Sequence, residues 1–364
     1  MNKTENDSSH QLIINLSILL AKPTGISNYA QNLFPYLKSL NPTLLTAYNY
    51  PEFNCYSVPN NLTPADGTKG HFNRILWTQF QLPKIYRELK SHFLFSPLPE
   101  APLYSNCRFV VMSHDLIPLR FPKRFSPLTP YHRYYIPQVL KQAQHIICNS
   151  QATADDIVSF YQIPASKITP IPLAHDRTHF RHLNLPTRNY FLYIGRQDPY
   201  KNLQRLMNAF AALPNHQDYE LWLAGPTDAR YTPILQLQVE ELGITHQVKF
   251  LNYVDYQELP SIINRAIALV FPSLWEGFGF PVLEAMACGT PVITSNLSSL
   301  PEVAGDAAIL MNPYNIAEIT EAMQLLATNS ELRSHLSIKG IARANLFSWE
   351  NTGKATAEVL ARYL

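Results

Sequence analysis

The stretch FPSLWEGFGFPVLEAMACGTPVITS, from Phe271 to Ser295, contains one complete step of an alternating strand and helix pattern. The apolar run AIALVF ends in a loop with two glycines, and Pro281 then suits the first turn of a helix that stops at Gly289. The next apolar run, TPVITS, has the character of a second strand. A strand, a helix and another strand in this order predict parallel strands in an α/β sheet.

Similar steps recur along the chain in two rounds, with helical patterns between the strands. The first-round strands are LIINLSILL, HFLFS, RFVVMS and HIICNS, and the other second-round strands are YFLYIG, YELWLAG and VKFLNYV. Short apolar runs with polar ends are typical of buried parallel strands. We therefore predict doubly wound α/β sheets, in which ligands bind at the carboxyl ends of the strands.

The bulk properties indicate a globular protein with two domains. A chain of 364 residues is too long for one ordinary core, and the aperiodic segment 173–188 is the best candidate for a linker. The net charge of +2 argues against a protein that is wrapped in nucleic acid. The four cysteines are far apart and form no CxxC motif, which predicts a reducing cytoplasm and no zinc site.

The amino-terminal region predicts neither a membrane span nor a signal peptide. The first residues, MNKTENDSSHQ, are polar, and the apolar segment after them has only ten residues, Leu12 to Ala21. That length is too short to cross a bilayer. We expect this segment to be a buried first strand.

A cationic loop follows the predicted strand YFLYIG. The strand ends at Gly195, the loop carries Arg196 and Lys201, and a helix is predicted to begin near Asn202. Cations beside a helix start form an anion site that suits a diphosphate. The alternative is a pair of solvated surface cations, and this stretch alone does not separate the two. No GxGxxG follows any strand, so a dinucleotide site is disfavoured.

Two carboxylates, Glu276 and Glu284, flank the loop that contains Gly277 and Gly279. Carboxylates accept pairs of hydroxyl hydrogen bonds, so the vicinal diols of sugars are natural ligands. The alternative is that Glu276 is a solvated loop residue and Glu284 a favourable charge near a helix start. Next to the cationic loop on a neighbouring strand, a joint nucleotide-sugar site is the favoured interpretation.

The motifs of the second half resemble those of glycosyltransferase family 4. They are GRQDPYKN, the LAG that ends a strand, FLNYV, and PSLWEGFGFPVLEAMACGTPVITSNLSSLPEVAGDAA, which together cover nearly all of residues 190–312. The resemblance implies a retaining, nucleotide-sugar-dependent enzyme of the GT-B fold, with two Rossmann-like doubly wound domains that face a cleft. The expected domains are residues 1–180 and 181–346, and residues 347–364 form a helix that returns to the first domain.

The resemblance also implies roles for the residues of the second half. Arg196 and Lys201 would hold the diphosphate, and Glu284 would bind the nucleotide ribose. Glu276 would contact the transferred sugar. The remaining sugar-donor contacts would come mainly from the backbone of Gly195, Tyr253, Val254, Gly277, Phe278 and Gly279.

Two stretches of the first half resemble the same family. VVMSHDLIPLRFP is similar to the HD-x-x-P stretch of mannosyltransferase-like members, which implies that His114 and Asp115 reach the transferred sugar. The alternative for His114 is a satisfied cap. TGISNY corresponds to the glycine loop beside the donor phosphates, where Ser27 and Asn28 replace the usual Gly and Arg, so only Gly25 is carried over.

A basic aromatic patch lies within RFPKRFSPLTPYHRYY, residues 120–135. Its cations are Arg120, Lys123, Arg124 and Arg133. Such a patch suits an anionic membrane surface or a lipid-diphosphate acceptor. A solvated helix entry is the alternative.

The sequence as a whole predicts a cytoplasmic hexosyltransferase of polysaccharide biosynthesis, with peripheral contact to the inner face of the membrane as a further expectation. GDP-mannose is the favoured co-substrate, a UDP-sugar is the second choice, and the acceptor is a glycan or a lipid-linked glycan. No Asp-x-Asp occurs, so we expect neither a metal ion nor a resident cofactor. The rival functions are a nucleotide-sugar epimerase and a non-catalytic sugar-nucleotide binding module.

Overall fold

The computed structural model describes residues 12–20, 25–123 and 126–364. The chain divides into two compact units, Met1–Leu173 together with Trp349–Leu364, and Ala174–Ser348. The sequence predicts the two corresponding boundaries after residues 180 and 346. The final helix is thus part of the first unit.

The first unit is built on a seven-stranded parallel sheet with the strand order β3-β2-β1-β4-β5-β6-β7. Its strands are β1 (Leu12–Asn15), β2 (Thr43–Thr46), β3 (Asn54–Ser57), β4 (Phe93–Ser96), β5 (Phe109–Ser113), β6 (His145–Cys148) and β7 (Ile168–Pro170). Most of these strands are buried along their whole length. The predicted α/β class is confirmed for this unit.

The second unit has a six-stranded parallel sheet with the order β10-β9-β8-β11-β12-β13. Its strands are β8 (Tyr190–Ile194), β9 (Glu220–Ala224), β10 (Val248–Asn252), β11 (Ala268–Phe271), β12 (Val292–Ser295) and β13 (Ile309–Met311). The order reverses beside β8, so the loops after β8 and β11 leave the same edge of the sheet side by side. This is the point of a doubly wound sheet where ligands bind.

Helices connect these strands. The α-helices are α1 (Gly25–Leu33), α2 (Gly67–Phe80), α3 (Leu82–Glu88), α4 (Ile117–Arg120), α5 (Leu128–Pro130), α6 (Ile136–Gln142), α7 (Gln151–Tyr161), α8 (Leu203–Ala211), α9 (Thr232–Glu241), α10 (Leu259–Arg265), α11 (Phe280–Ala287), α12 (Leu300–Ala304), α13 (Ile316–Thr328), α14 (Ser330–Ala344) and α15 (Trp349–Ala361). One turn of π-helix, Tyr131–Tyr135, joins α5 to α6. Short 3-10 turns are Phe34–Leu40, Pro64–Asp66, Ala165–Lys167, Pro199–Lys201 and His216–Asp218.

Local sequence signals explain where several of these helices begin. The hydroxyl of Ser150 accepts a hydrogen bond from the Thr153 N–H at 3.1 Å, which caps the start of α7. Asn315 caps α13 in the same way through the Ala317 N–H at 3.0 Å. In α15, a Cβ atom at Gly353 would lie 2.2 Å from Tyr36 Cβ, so the glycine permits close packing of this helix within the first unit.

Two parts of the predicted strand pattern are wrong. The first strand stops at Asn15 rather than continuing to Leu20, because the Asn15 side chain accepts the Ser17 N–H at 3.2 Å and the chain turns there. Strands β2, β3, β7 and β13 were not predicted. They have only three or four residues each, and β3 and β13 have partly exposed side chains, so their hydrophobic signal is weak.

Candidate functional site

Two glycines lie at the carboxyl ends of the neighbouring strands β8 and β9. Gly195 follows β8 with a φ of 151°, and Gly225 follows β9 with a φ of 154°. A Cβ atom at Gly225 would lie 1.9 Å from the carbonyl oxygen of Gly195. The two backbones therefore approach each other more closely than a side chain would allow.

Asn202 closes the cationic loop and ties it to two other loops. It adopts a left-handed φ of 64°, and α8 begins at the next residue, as the sequence predicted within one position. The Asn202 amide nitrogen donates to the carbonyl oxygens of Pro272 at 3.1 Å and Pro313 at 2.6 Å. One side chain thus joins the loops that follow β8, β11 and β13.

Lys201 and Glu276 form an ion pair between the two predicted motifs. The Lys201 ammonium nitrogen lies 2.6 Å from Glu276 Oε1, and each side chain is only 11% exposed. The Lys201 nitrogen also lies 5.3 Å from the centre of the Phe271 ring. Because an ammonium group has three N–H donors, Lys201 can hold Glu276 and a phosphate oxygen together.

Arg196, the other predicted diphosphate ligand, lies closer to solvent. Its side chain is 64% exposed, and its Nε lies 3.1 Å from Oδ2 of the buried Asp198. The Tyr193 hydroxyl donates to the Arg196 carbonyl oxygen at 2.6 Å and so holds the backbone of the loop. The backbone of Arg196 is therefore fixed, and its guanidinium group remains accessible to a ligand.

Two serines that the sequence analysis did not single out hold the Glu276 loop. Ser298 Oγ accepts the Glu276 N–H at 3.1 Å. The buried Ser299 hydroxyl lies 3.0 Å from the Glu276 carbonyl oxygen and 2.8 Å from that of Phe278. These contacts span Gly277 and fix the direction of its peptide groups. Both serines lie within the quoted motif NLSSLPEVAG, but nothing in their spacing reveals the contacts.

The loop ends at Gly279, which precedes α11. Gly279 has a φ of 112°, and a Cβ atom there would lie 2.8 Å from a methyl carbon of Leu300. Gly277 and Phe278 are buried. A glycine at position 279 is therefore required both by the backbone and by the packing.

Glu284 lies in the second turn of α11 with a partly buried side chain. Burial raises the pKa of its carboxyl group to about 7. Its charge in turn contributes to raising the pKa of Tyr256 and of Cys288, after the larger effect of their own burial. In the described part of the chain, the Glu284 carboxylate makes no hydrogen bond, so its oxygen atoms are available to a ligand.

The loop after β10 carries the predicted base contacts. Tyr253 is 75% exposed and Val254 is partly buried. Nearby, the Tyr256 ring stacks on His179 with centres 3.8 Å apart, and His179 Nε2 lies 2.7 Å from the Tyr256 carbonyl oxygen. This anchor holds one end of the loop while Tyr253 stays open to solvent.

His114 and Asp115 follow β5 in the first unit. His114 Nε2 lies 2.9 Å from the Pro97 carbonyl oxygen, which only accepts, so Nε2 carries the proton. Burial lowers the pKa of His114 to about 4, against the opposing effect of that hydrogen bond. His114 is thus neutral at pH 7, with Nδ1 as its acceptor. Asp115 Oδ1 accepts the Ile117 N–H at 3.0 Å at the start of α4.

Gly25 opens α1 with a φ of 45°. The two residues that depart from the family pattern have local roles here. Ser27 Oγ accepts the Leu20 N–H at 2.9 Å, and Asn28 accepts a hydrogen bond from the Asn32 amide at 2.7 Å. The preceding residue of the quoted motif, Thr24, lies outside the described residues.

The predicted basic patch is only partly a surface feature. Arg120 forms a two-pronged ion pair with the buried Asp156, with Nε 3.0 Å from each carboxylate oxygen, and it lies 5.5 Å from the Phe160 ring. Arg120 is exposed to solvent, but its guanidinium is engaged by Asp156, which would otherwise be an unpaired buried charge. Arg133 is exposed, and Arg124 lies outside the described residues.

A second buried ion pair in the first unit was not predicted. Arg74 in α2 contacts Glu100 through Nε at 2.8 Å and Nη2 at 2.9 Å. The Tyr131 hydroxyl donates to Glu100 Oε1 at 2.8 Å, and Arg74 Nη1 donates to the Leu62 carbonyl oxygen at 3.1 Å. A sequence separation of 26 residues gives no local signal for this pair.

Comparison with known proteins places these loops in a family. The model of the glycosyl transferases group 1 matches residues 175–343, and the model of glycosyltransferase family 4 matches residues 23–179. The chain belongs to glycosyltransferase family 4. The two matches cover most of both units. The match to the glycosyl transferases group 1 contains every site residue that was predicted in the second half of the chain.

The relatives of this family-4 chain include mannosyltransferases. It is 32% identical to the O-antigen chain mannosyltransferase B of Escherichia coli over 61% of this chain and 61% of that protein. It is 28% identical to the serotype-specific mannosyltransferase WbdA of Escherichia coli over 70% of this chain and 33% of that protein. The matched region is thus less than two thirds of either relative's own length.

A solved structure shares the fold of this family-4 chain. The sucrose-phosphate synthase of Thermosynechococcus elongatus superimposes with a TM-score of 0.76 at 18% identity, over 97% of this chain and 98% of that chain. This likeness confirms the predicted GT-B fold with its two α/β domains. At this identity it carries no information about the substrate.

The described residues contain neither a cluster of metal ligands nor a helix that could cross a membrane. Within residues 12–20, 25–123 and 126–364, no three His, Cys, Asp or Glu side chains are grouped so that they hold a metal ion. No helix in this described part of the family-4 chain combines the length and apolarity that a membrane-crossing segment needs.

The Ser299 contacts give a test of how the Glu276 loop is held. We expect Ser299→Ala to lower kcat about tenfold with little change in the KM of the nucleotide sugar, because two buried carbonyl groups lose their partner and the loop moves. Steady-state kinetics measure this, and Ser334→Ala, an exposed helix serine, is the matched control. A lower melting temperature with an unchanged kcat would show that Ser299 only stabilises the fold.

The raised pKa of Glu284 gives opposite expectations for stability and binding. Its folded pKa of about 7 exceeds the ordinary value, so ionisation costs stability above about pH 4.5, and the cost is complete above pH 7. Glu284→Gln should therefore raise the melting temperature at pH 8 more than at pH 5. If the ionised group binds the ribose, the variant should also bind GDP more weakly at pH 8.

Thermal unfolding and calorimetric titration at both pH values measure these effects, with Glu321→Gln as an exposed helix control. A variant that binds GDP as tightly as the parent at pH 8 would remove Glu284 from the nucleotide site. A melting temperature that does not rise at pH 8 would show that the carboxylate is stabilised by its surroundings.

Proposed function

We propose that this chain transfers mannose from GDP-mannose to a glycan or lipid-linked glycan in polysaccharide biosynthesis, with retention of the anomeric configuration. The observation that carries the proposal is the Lys201–Glu276 ion pair of 2.6 Å between two loops at the carboxyl edge of the second sheet. Mannose is favoured because the E. coli relatives are named as mannosyltransferases. A UDP-sugar is the second candidate for the co-substrate.

The charges of the Lys201 loop and the Glu276 loop suit the two sides of the bond that breaks, which joins the sugar to the diphosphate. A diphosphate leaving group gains negative charge, and Lys201, Arg196 and the start of α8 offer positive charge. The transferred sugar gains positive charge, and the carboxylate of Glu276 lies beside the lysine. Fixed groups of this kind each lower a barrier by about 3 kcal/mol. Retention itself is implied by the family and not by a nucleophile in these loops.

We further propose that the reaction needs no divalent metal ion and no resident cofactor. In this proposal the positive charge that a metal ion would supply comes from Lys201 and Arg196. Lys201 is held by Glu276, and Arg196 by Asp198 at 3.1 Å, so both cations are in place before the substrate binds. Preformed charges need no reorganisation during the reaction.

Incubation with GDP-mannose, UDP-glucose and UDP-galactose, with and without a mannose-terminated acceptor, tests the proposal. We expect acceptor-dependent transfer from GDP-mannose that EDTA does not change, and α-linked product by NMR. Glu276→Gln should lower kcat at least a hundredfold because the charge beside the sugar is lost, whereas Glu321→Gln should have no effect.

The other outcomes identify the rivals. Conversion of a nucleotide sugar without acceptor would indicate an epimerase, and binding without turnover would indicate a binding module. Activity that vanishes with EDTA and returns with Mg²⁺ or Mn²⁺ would overturn the metal-free part alone.

We also propose that the first unit contacts an anionic membrane at its cytoplasmic face. Phe72, Leu76 and Phe80 repeat every four residues along one side of α2 and are 58%, 40% and 64% exposed. The neighbouring π-helical turn adds Tyr134, which is 63% exposed, and the Tyr131 ring of the same turn packs on His71 of α2 with centres 4.9 Å apart.

The charges around this apolar stripe favour acidic lipids. Lys69 of α2, Lys84 and Arg87 of α3, and Arg133 of the π-helical turn are exposed, and Glu88 of α3 is the exposed acidic residue of these three elements. Exposed apolar side chains with a basic border are typical of surfaces that lie in the membrane interface.

All four cysteines are free, which agrees with a reducing compartment.

Vesicle binding tests this contact. We expect Phe72→Ser with Phe80→Ser to reduce binding to phosphatidylglycerol vesicles at least tenfold, because two phenyl rings no longer enter the interface. The matched control is Leu237→Ser with Ile338→Ser, which changes two equally exposed apolar residues of the second unit. The membrane contact would be rejected if both double variants bound the vesicles equally well. It would also be rejected if the parent protein did not bind the vesicles at low salt.

A further inference from the structure

A cavity opens at the edge of the second sheet opposite to the site loops. It lies at the amino ends of β8 and β9, whereas Gly195 and Gly225 follow the carboxyl ends of the same strands. Its volume is about 420 Å³, which lies within the range of small-molecule sites. Its lining comes from residues 188–190 and 217–220, Trp222 and Lys249.

The floor of this cavity is a fixed aromatic and carboxylate cluster. The Trp222 and Tyr190 rings stack with centres 3.9 Å apart and planes 4° from parallel. Glu220 Oε2 accepts the Trp222 indole N–H at 2.6 Å, and Glu220 Oε1 lies 2.6 Å from the Lys249 ammonium nitrogen. The cluster is therefore organised without a ligand, and each carboxylate oxygen keeps a lone pair for a hydroxyl group.

The rim of the cavity offers planar polar side chains. Asn189, Gln217 and Asp218 are exposed, and among the described residues their side chains make no hydrogen bond. Amide and carboxylate groups present two polar atoms in one plane, which matches two adjacent hydroxyl groups of a pyranose. The backbone beneath them is fixed, because the Glu220 N–H donates to the Asn189 carbonyl oxygen at 2.9 Å.

The charges of the lining cancel. Arg188 and Lys249 contribute two positive charges, and Asp218 and Glu220 contribute two negative charges, so the lining has no net charge. A phosphate or a nucleotide gains little from such a lining, whereas a neutral ligand with many hydroxyl groups loses nothing. The faces of the Trp222 ring are covered by Tyr190, with centres 3.9 Å apart, and by the Lys249 nitrogen at 5.4 Å, so recognition depends on the hydrogen-bonding groups of the lining.

We propose that this cavity binds a neutral oligosaccharide, a portion of the glycan that the enzyme extends. The proposal rests on the proposed function for the identity of the glycan. A glycan bound on the same unit as the sugar-donor loops stays near the enzyme between transfers, which raises its effective concentration for the next one. The cavity is thus a holding site and not a second place of reaction.

A linear α-linked mannotetraose is the probe for this site. The experiment titrates it into ¹⁵N-labelled protein saturated with GDP and follows the indole N–H signals of the four tryptophans. Trp222→Phe identifies the Trp222 signal, which we expect to shift on titration. Asn189→Ala with Gln217→Ala should weaken the binding about tenfold, because both rim amides lose their hydrogen bonds to the sugar.

Gln236→Ala, an exposed helix glutamine that makes no side-chain hydrogen bond within the described residues, is the matched control and should bind like the parent. Inorganic phosphate should not compete. An unshifted Trp222 signal, equal binding by the rim variant, or competition by phosphate would each overturn the proposal. A parent dimer that the rim variant abolishes would also overturn it, since the surface would then serve a second copy of the chain.

The same preparations separate this proposal from the proposed function. Transfer of mannose to a short acceptor by a parent protein whose Trp222 signal does not shift would reject the cavity alone. Binding at the cavity without transfer from any nucleotide sugar would reject the proposed function alone. If both hold, the rim variant should transfer to a short acceptor at the parent rate but release shorter products from a long one.

Discussion

The ion pair of Lys201 and Glu276 is the constraint on which the candidate site depends. Both side chains are 89% shielded from water, as their exposure of 11% shows, so neither charge is stable without the other. The surrounding loops must therefore keep the two groups together. Asn202 does this from the lysine side through two carbonyl groups, and Ser299 does it from the glutamate side through two more. Contacts between the loops, rather than the strands themselves, therefore hold both charges in fixed positions.

This rigidity needs backbone conformations that ordinary residues avoid. Asn202 and Ser298 have φ of 64° and 56°, and Gly195 and Gly279 have φ of 151° and 112°. Glycine adopts such conformations without a steric cost, and asparagine is the other residue that tolerates them best. Gly195, Asn202 and Gly279 lie at the ends of the loops that carry Lys201 and Glu276, and Ser298 lies in the loop after β12 that contacts Glu276. The residue types at these positions are therefore set by the backbone of the site.

The sequence predicted the order of strands, loops and helices around the site because each of these elements has a signal within a few neighbouring residues. Gly195, Pro281 and the start of α8 are each visible within a few residues, and the motifs of 190–312 fixed the family. The contacts of Ser298 and Ser299 were not visible, because a hydroxyl bonds to a carbonyl group of any residue and leaves no pattern. The pair of Arg74 and Glu100 was missed for a related reason, since residues 26 positions apart in a chain share no periodicity. The ion pair of Arg120 with Asp156 was also not visible, because a basic stretch does not show which of its cations contacts a buried carboxylate.

The two edges of the second sheet differ in a way that follows from strand direction. Loops at the carboxyl edge join each strand to the next helix, and α8 and α11 point their amino ends toward this edge. Their partial positive charge adds to that of Lys201, so the edge attracts an anion. The amino edge receives helix carboxyl ends, whose partial charge is negative and does not attract an anion. There the lining of Arg188, Asp218, Glu220 and Lys249 is neutral in sum, and hydrogen bonds are left as the means of recognition. One sheet thus presents a charged edge for a nucleotide and a neutral edge for a glycan, and parallel strands are what keep the two ligands apart.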